Sequence, residues 1–200
     1  MYEVYISKRV LKNIWHMSIP VQRKMVNLID DLRDKGPIRL EWPNFSKLVS
    51  DHYHCHLTYK WVVCWTYRQQ GNRIEVIVQA VVKTPRIEIA IRGEIPPKLL
   101  AILVEEFGDE MQLHADDDDE MVDVFETAWY TNLKKQITPG MNLKIYRDNY
   151  GLTQNQLGQM LGGFSRRHIS HLEHDIRPIP SDLAQKLSRL FDVSIEKFTQ

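Results

Sequence analysis

Residues 151–175 read GLTQNQLGQMLGGFSRRHISHLEHD, and this stretch decides the fold of the last third of the chain. Gly151 stops the helix before it. Thr153 offers a capping hydroxyl and Gln156, three residues later, completes a capping box, so a helix starts here with Leu157 and Leu161 as its inward stripe. The pair Gly162-Gly163 ends that helix, because glycine accepts the left-handed backbone found at helix ends. Ser165 caps a further helix in which Ile169 and Leu172 point one way. At about 100° per residue, Arg166, Arg167, Ser170, His171 and His174 fall on the opposite face, which has no apolar partner.

Outward from this stretch, Thr138-Pro139-Gly140 opens a helix that runs to about Tyr150, with proline at its first position. Leu183, Leu187 and Leu190 mark a supporting helix, and Ser194 caps a short last one. A short helix, a glycine-bearing turn and a second helix with an Arg-rich outer face is an arrangement that inserts into a major groove. The run Gly151-Leu152-Thr153-Gln154, the Ile169-Ser170 step, Glu173 and Arg177 resemble the Xre family of lambda-repressor-like helix-turn-helix domains, over residues 138–200. The resemblance implies operator DNA as partner, with Gln154 on a phosphate or base edge and Ser165, Arg166, Arg167, Ser170 and His171 at the groove. It also implies a homodimer on paired half-sites. Two departures stand out: Gly158 replaces the family's usual alanine, and the turn Gly162-Gly163-Phe164 is one residue longer, which can rotate the recognition helix. The competing reading is a helical bundle that contacts only protein.

The N-terminal part has a different rhythm. Tyr2 to Ile6 alternates like a strand, Ser7 caps a helix carrying Val10, Leu11, Ile14 and Trp15, and Pro20 starts a longer helix that ends at Gly36-Pro37. Strands follow at His52–Thr58, Trp61–Tyr67 and Ile74–Val82, so two helices on an antiparallel sheet are expected over residues 1–82. This order, with Lys47-Leu48, Tyr53-His54-Cys55-His56-Leu57 and Trp61-Val62-Val63-Cys64-Trp65, resembles RelE-like toxins of toxin-antitoxin pairs. The resemblance implies a ribosome-associated messenger ribonuclease. Metal-free RNA cleavage needs an acid, a base and positive charge at the phosphate, and Lys47, His54, His56 and Arg68 are the candidates. The short Arg- and Tyr-bearing tail of such toxins has no counterpart after Gln79-Ala80-Val81-Val82, which implies impaired activity; an active enzyme silenced by its own tail is the alternative. His52, His54 and His56 alternate onto one sheet face, but no further ligand stands at a useful spacing, so neither a metal nor a cofactor is expected.

Between these parts lie residues 83–137. Lys83 to Ile89 and Gly93-Glu94-Ile95-Pro96 read like the opening of an antitoxin, so the chain reads as two genes joined. The periodicity predicts a strand at 87–91, a helix over 97–107, a short strand near Met111 and a helix from Met121 to Lys134, together a small α/β segment. Charge is segregated. Residues 1–86 hold 14 Lys and Arg against 7 Asp and Glu, whereas 101–130 hold 11 acidic residues and no Lys or Arg, although the whole chain has a formal net charge of 0. The acidic block can cover the basic face where RNA would lie, or Asp116–Glu120 can be a solvated loop; the helix with Phe125, Trp129 and Tyr130 is the better candidate for docking, and its aromatics suit a core or a dimer interface equally.

The expectation is therefore an α+β chain: a RelE-like unit, an acidic middle and an all-α DNA-binding unit, fused as an autoregulatory toxin-antitoxin protein. No apolar run has membrane-spanning length and no leader is visible, which points to the cytoplasm and to reduced thiols at Cys55 and Cys64.

Overall fold

The structure is a computed structural model that describes residues 2–47, 51–67, 73–79, 101, 104–105 and 120–199, with the backbone alone for 73–79. In β1 (Glu3–Ser7) Val4 and Ile6 are wholly buried and alternate with outward residues, the period of a half-covered strand. Ser7 then caps α1 (Lys8–Trp15), its Oγ accepting the Val10 N–H at 3.2 Å. Pro20 lies in the first turn of α2 (Ile19–Lys35), and Gly36 closes that helix with φ of 86°, a backbone that favours glycine.

The chain returns through β2 (Ser46–Lys47), β3 (His52–His56), β4 (Val62–Tyr67) and β5 (Arg73–Gln79), and β6 (Met121–Asp123) completes a sheet of order β2-β3-β4-β5-β1-β6. β2 to β5 pair antiparallel, but β5 runs parallel to β1, with Val4 opposite Ile74. The sheet is therefore mixed, not wholly antiparallel as expected. Alternation of apolar residues records which face a strand buries and not its direction. The direction is set here by α1 and α2, which carry the chain from β1 to the far edge before the meander walks back to it.

Tyr53, Cys55, Leu57, Val63 and Trp65 project to the helical side and form one core with Val10, Ile14, Met25, Leu28, Ile29 and Leu32. Residues expected to form a single helix in a separate middle segment also enter this core. Met121–Lys134 is instead β6, a 3-10 turn (Val124–Glu126) and α3 (Ala128–Lys134). The Asp123 carboxylate accepts the Phe125 N–H at 2.9 Å and Thr127 Oγ1 accepts the Tyr130 N–H at 3.3 Å. These side chains compete for backbone donors and divide the segment into two starts. Val124, Trp129, Tyr130 and Leu133 are buried with the N-terminal core, so packing does not follow a boundary at residue 82. Trp129 Nε1 donates to Gln22 at 2.9 Å, the Tyr130 hydroxyl donates to Asp30, and Arg33 sits 4.7 Å above the Phe125 ring. The aromatics thus dock on α2, in the helical layer, and not over the face that carries His54 and His56. Of the acidic run only Glu120 is described, and it pairs with Lys8 at 2.6 Å. The strands expected at 87–91 and near 111 lie outside the described residues, as does the 97–107 helix apart from residues 101, 104 and 105, which are helical.

The C-terminal unit follows its sequence closely: α4 (Pro139–Asn149), α5 (Gln154–Met160), α6 (Arg166–Glu173), α7 (Ser181–Phe191) and a 3-10 turn (Ile195–Lys197). A second core joins Leu143, Tyr146, Leu157, Ile169, Leu172, Leu187, Phe191 and Phe198. No helix among the described residues is long and apolar enough to cross a membrane.

A polar seam joins the two cores. Asn27 Nδ2 donates to Asn142 Oδ1 at 2.8 Å, Asn142 Nδ2 donates to the Lys197 carbonyl at 2.7 Å, and the Tyr146 hydroxyl lies 2.9 Å from Asp31. Lys197 Nζ lies 2.9 Å from Asp30 and 3.4 Å from Asp31, all three being buried. Burial works against charge on Asp30, but Lys197, Lys134 and the Tyr130 hydroxyl outweigh it and hold the carboxyl below its usual range. Burial likewise opposes the Lys197 charge, and Asp31 and Asp30 raise its affinity for the proton above that of an ordinary lysine.

Two outcomes are expected. Trp129→Ala should lower stability by about 3–5 kcal/mol in urea titrations followed by circular dichroism, because a buried ring is deleted from the first core. Asp30, with a depressed folded value, stabilises the fold above the ordinary carboxylate range and loses that contribution as pH falls through its folded value. Lys197, with a raised value, contributes fully below the ordinary lysine range and loses it as pH rises through its own folded value. Thermal midpoints against pH should therefore fall at both extremes, and Asp30→Asn should flatten the acid limb.

Candidate nucleic-acid interface

The interface is built on the turn between α5 and α6. Thr153 Oγ1 accepts the Gln156 N–H at 3.2 Å while Gln156 Oε1 accepts the Thr153 N–H at 2.8 Å, which is the reciprocal capping box expected from the sequence. Ser165 Oγ accepts the His168 N–H at 3.2 Å and so starts α6. Gly162 and Gly163 take φ of 114° and 90° between them.

Gly158 and the turn Gly162-Gly163-Phe164 form one feature. The N–H groups of Gly163 and Phe164 both donate to the Gly158 carbonyl, at 3.0 and 2.9 Å. This draws the Phe164 carbonyl over Gly158, where an added Cβ would stand 2.1 Å from that oxygen. Alanine is therefore sterically refused at position 158. Phe164 itself packs on the second core and stacks on His168, with ring centroids 4.6 Å apart.

Ile169 and Leu172 are wholly inside, while Ser165, Arg166, Arg167 and His174 are exposed and Ser170 and His171 are half-buried on the outer side. The sequence-predicted groove set is thus gathered on one face. Ser165 differs from the rest, since its hydroxyl is engaged by the helix end. His174 Nδ1 lies 2.7 Å from the Ser170 carbonyl and folds back on its own helix.

A buried ion pair behind this face was not anticipated as part of the site. Arg147 at the end of α4 pairs with Glu173, and its Nη1 also donates to the Leu152 carbonyl at 2.7 Å. Burial opposes the Arg147 charge, but Glu173 outweighs it and holds the guanidinium more firmly protonated. The other Glu173 oxygen accepts Gln154 Nε2 at 2.8 Å, and Gln154 Oε1 accepts Arg166 Nε at 3.4 Å. A chain of partners therefore runs from the interior to an exposed arginine. The signal was present: Glu173 follows Ile169 by one helical turn, so its side falls with the apolar stripe, where a carboxylate requires a cation.

Among the described N-terminal candidates, Lys47 stands apart from His54 and His56. In the β2–β3 pairing Lys47 lies opposite Tyr53 and its Nζ is 5.8 Å above the Tyr53 ring, on the helical side of the sheet. His54 and His56 stand on the other face, with ring centroids 5.8 Å apart, and His54 Nδ1 is 3.1 Å from Ser46 Oγ. Burial and the neighbouring His56 keep His54 below the ordinary histidine value. Arg68 lies outside the described residues. Among the described residues no group of three or more His, Cys, Asp or Glu is placed to hold a metal ion. Cys55 and Cys64 are free thiols, and burial pushes both above the usual thiol range.

Gly158→Ala should cost about 1–3 kcal/mol by thermal or urea unfolding, since a backbone carbonyl must move. Glu173→Ala should cost about 1–3 kcal/mol, because Arg147 loses its buried partner and keeps only the more exposed Asp148.

No curated protein and no solved structure matches the chain. A family model described as helix-turn-helix matches residues 143–198, so the C-terminal part of this chain is a helix-turn-helix domain.

Proposed function

We propose that the chain is a sequence-specific DNA-binding transcriptional regulator in which α6 reads the major groove. The observation that carries this reading is the exposed Arg166–Arg167 pair on a helix whose opposite side, Ile169 and Leu172, is wholly buried within a helix-turn-helix domain. Such a helix presents donors to base edges without disturbing its own packing. Gln154 at the start of α5 contacts phosphate or a base edge. Ser165 stands at the start of α6 beside the groove, and Ser170 and His171 complete the reading face. The bound species is a homodimer on two half-sites about one DNA turn apart.

In the fuller reading the protein is a fused toxin-antitoxin chain that regulates its own operator, with residues 1–82 as a RelE-like unit, 83–137 as the antitoxin's leading segment and 138–200 as the reading head. The sheet unit is held in cis, and the ribosome or messenger RNA is the partner its resemblance implies. Lys47 on one face of the sheet and His54 with His56 on the other favour an impaired nuclease over an active one.

Gel shifts with DNA from the chain's own upstream region test the proposal. Affinity should fall as salt rises, because phosphates are neutralised on binding. Arg166→Ala and Arg167→Ala should each cost about 1–3 kcal/mol and relax sequence preference. Variants that bind upstream and unrelated DNA just as the unsubstituted chain does would remove α6 from the role assigned to it.

A further inference from the structure

Asn27, Asp30, Asp31 and Lys35 form a stripe along α2 at helical spacing, and each meets the helix-turn-helix domain. Asn27 meets Asn142 and Asp31 meets Tyr146, both on α4; Asp30 and Asp31 meet Lys197, and Lys35 meets Asp192 at 2.5 Å. The domain thus contacts α2 with α4 and with the segment after α7. Its DNA-facing residues come from α5 and α6, so the two surfaces draw on different elements.

Asp31 is 3 % exposed and Asp30 1 %. Adjacent carboxylates at that depth require cations and donors. Asp30 is supplied largely from its own unit, by Tyr130, Lys134 and Arg33. Asp31 accepts Trp42 Nε1 at 3.0 Å from its own unit, but its ammonium partner, Lys197, arrives from the other. An apolar seam tolerates sliding and rotation. Directional bonds between buried charged and amide groups do not, because any displacement breaks them.

We infer that this lattice is a clamp that makes the sheet unit and the helix-turn-helix domain one cooperative body, with Lys197 as the counter-ion that the domain supplies to the sheet unit. The short connection Lys135–Thr138 between α3 and α4 tethers the domain; the lattice removes its remaining freedom to turn. In what it presents, a reading head at fixed orientation, the clamp rests on the DNA-binding proposal above. Its existence does not.

The chain carries its own probes. Its 5 tryptophans, Trp15, Trp42, Trp61, Trp65 and Trp129, all precede residue 138. Tryptophan fluorescence therefore reports the sheet unit alone, while far-ultraviolet circular dichroism reports helices in both. In urea titrations of the full chain the two signals should trace one transition. Lys197→Met should separate them, and trypsin cleavage after Lys134 and Lys135 should become at least about tenfold faster as the tether opens. Lys197→Arg, which keeps the charge, should stay close to the unsubstituted chain in both readouts. Two separate transitions in the unsubstituted chain overturn the clamp, as does a Lys197→Met chain whose curves stay superimposed at an unchanged midpoint with unchanged cleavage. If Lys197→Met does not accumulate folded, Lys197→Met with Asp31→Asn, which removes charge from both sides, is held to the same two outcomes. No readout needs DNA. A chain that unfolds as one body yet ignores DNA would sink the regulator reading and leave the clamp standing.

Discussion

Two neighbouring carboxylates on the inner side of α2 set the terms for the rest of the molecule. Asp30 and Asp31 are nearly sealed from water, and charge at that depth is stable only where cations and hydroxyls converge on it. The convergence draws on parts of the chain far apart in sequence: Arg33 and Trp42 nearby, Tyr130 and Lys134 on α3, Tyr146 on α4 and Lys197 near the C-terminus. Satisfying two acids thereby ties together the sheet unit, the segment after the acidic block and the helix-turn-helix domain. Hydrophobic burial forms each of the two cores, but the relation between them is fixed by polar groups.

Electrostatic segregation in the sequence takes on a different meaning in this light. The acidic middle adjoins a basic N-terminal block, and attraction over the sheet face was a natural expectation. Where the segment is described, its contacts are short-range and particular: Glu120 on Lys8, Trp129 on Gln22, Tyr130 on Asp30. Exposed pairs such as the first contribute at most about 1 kcal/mol. The buried indole and phenol supply both apolar area and donors aimed at α2, so they decide which surface is covered. The face bearing His54 and His56 is not the one they choose.

Legibility followed locality. The capping box at Thr153, the glycine stop, the Ser165 cap and the outward set on α6 were readable because each depends on residues within one or two helical turns. The two N-terminal helices were readable for the same reason. The parallel pairing of β1 with β5 was not, since it is set by the path of the intervening chain. Nor was β6, whose three residues become a strand only because the edge of β1 is there to receive them. The division of 121–134 into turn and helix was visible in principle at Asp123 and Thr127, both capping residues, but an apolar period running through them masked it. The placing of Lys47 is likewise non-local: pairing opposite Tyr53 puts it on the face away from His54 and His56.

Within the helix-turn-helix, residue 158 and the α5–α6 turn constrain one another. The turn between α5 and α6 needs its backbone donors satisfied, and the Gly158 carbonyl accepts the N–H groups of both Gly163 and Phe164. That solution lowers the Phe164 carbonyl onto residue 158 and leaves no room for a methyl group there. Glycine inside a helix is unfavourable by about 1 kcal/mol relative to alanine, and here that cost is set against the close approach of the Phe164 carbonyl. Phe164, drawn inward by the same geometry, then stacks on His168 in the first turn of α6. The turn is thereby coupled to the start of the helix that carries Arg166 and Arg167, and the aim of those arginines depends on a steric constraint one helix away.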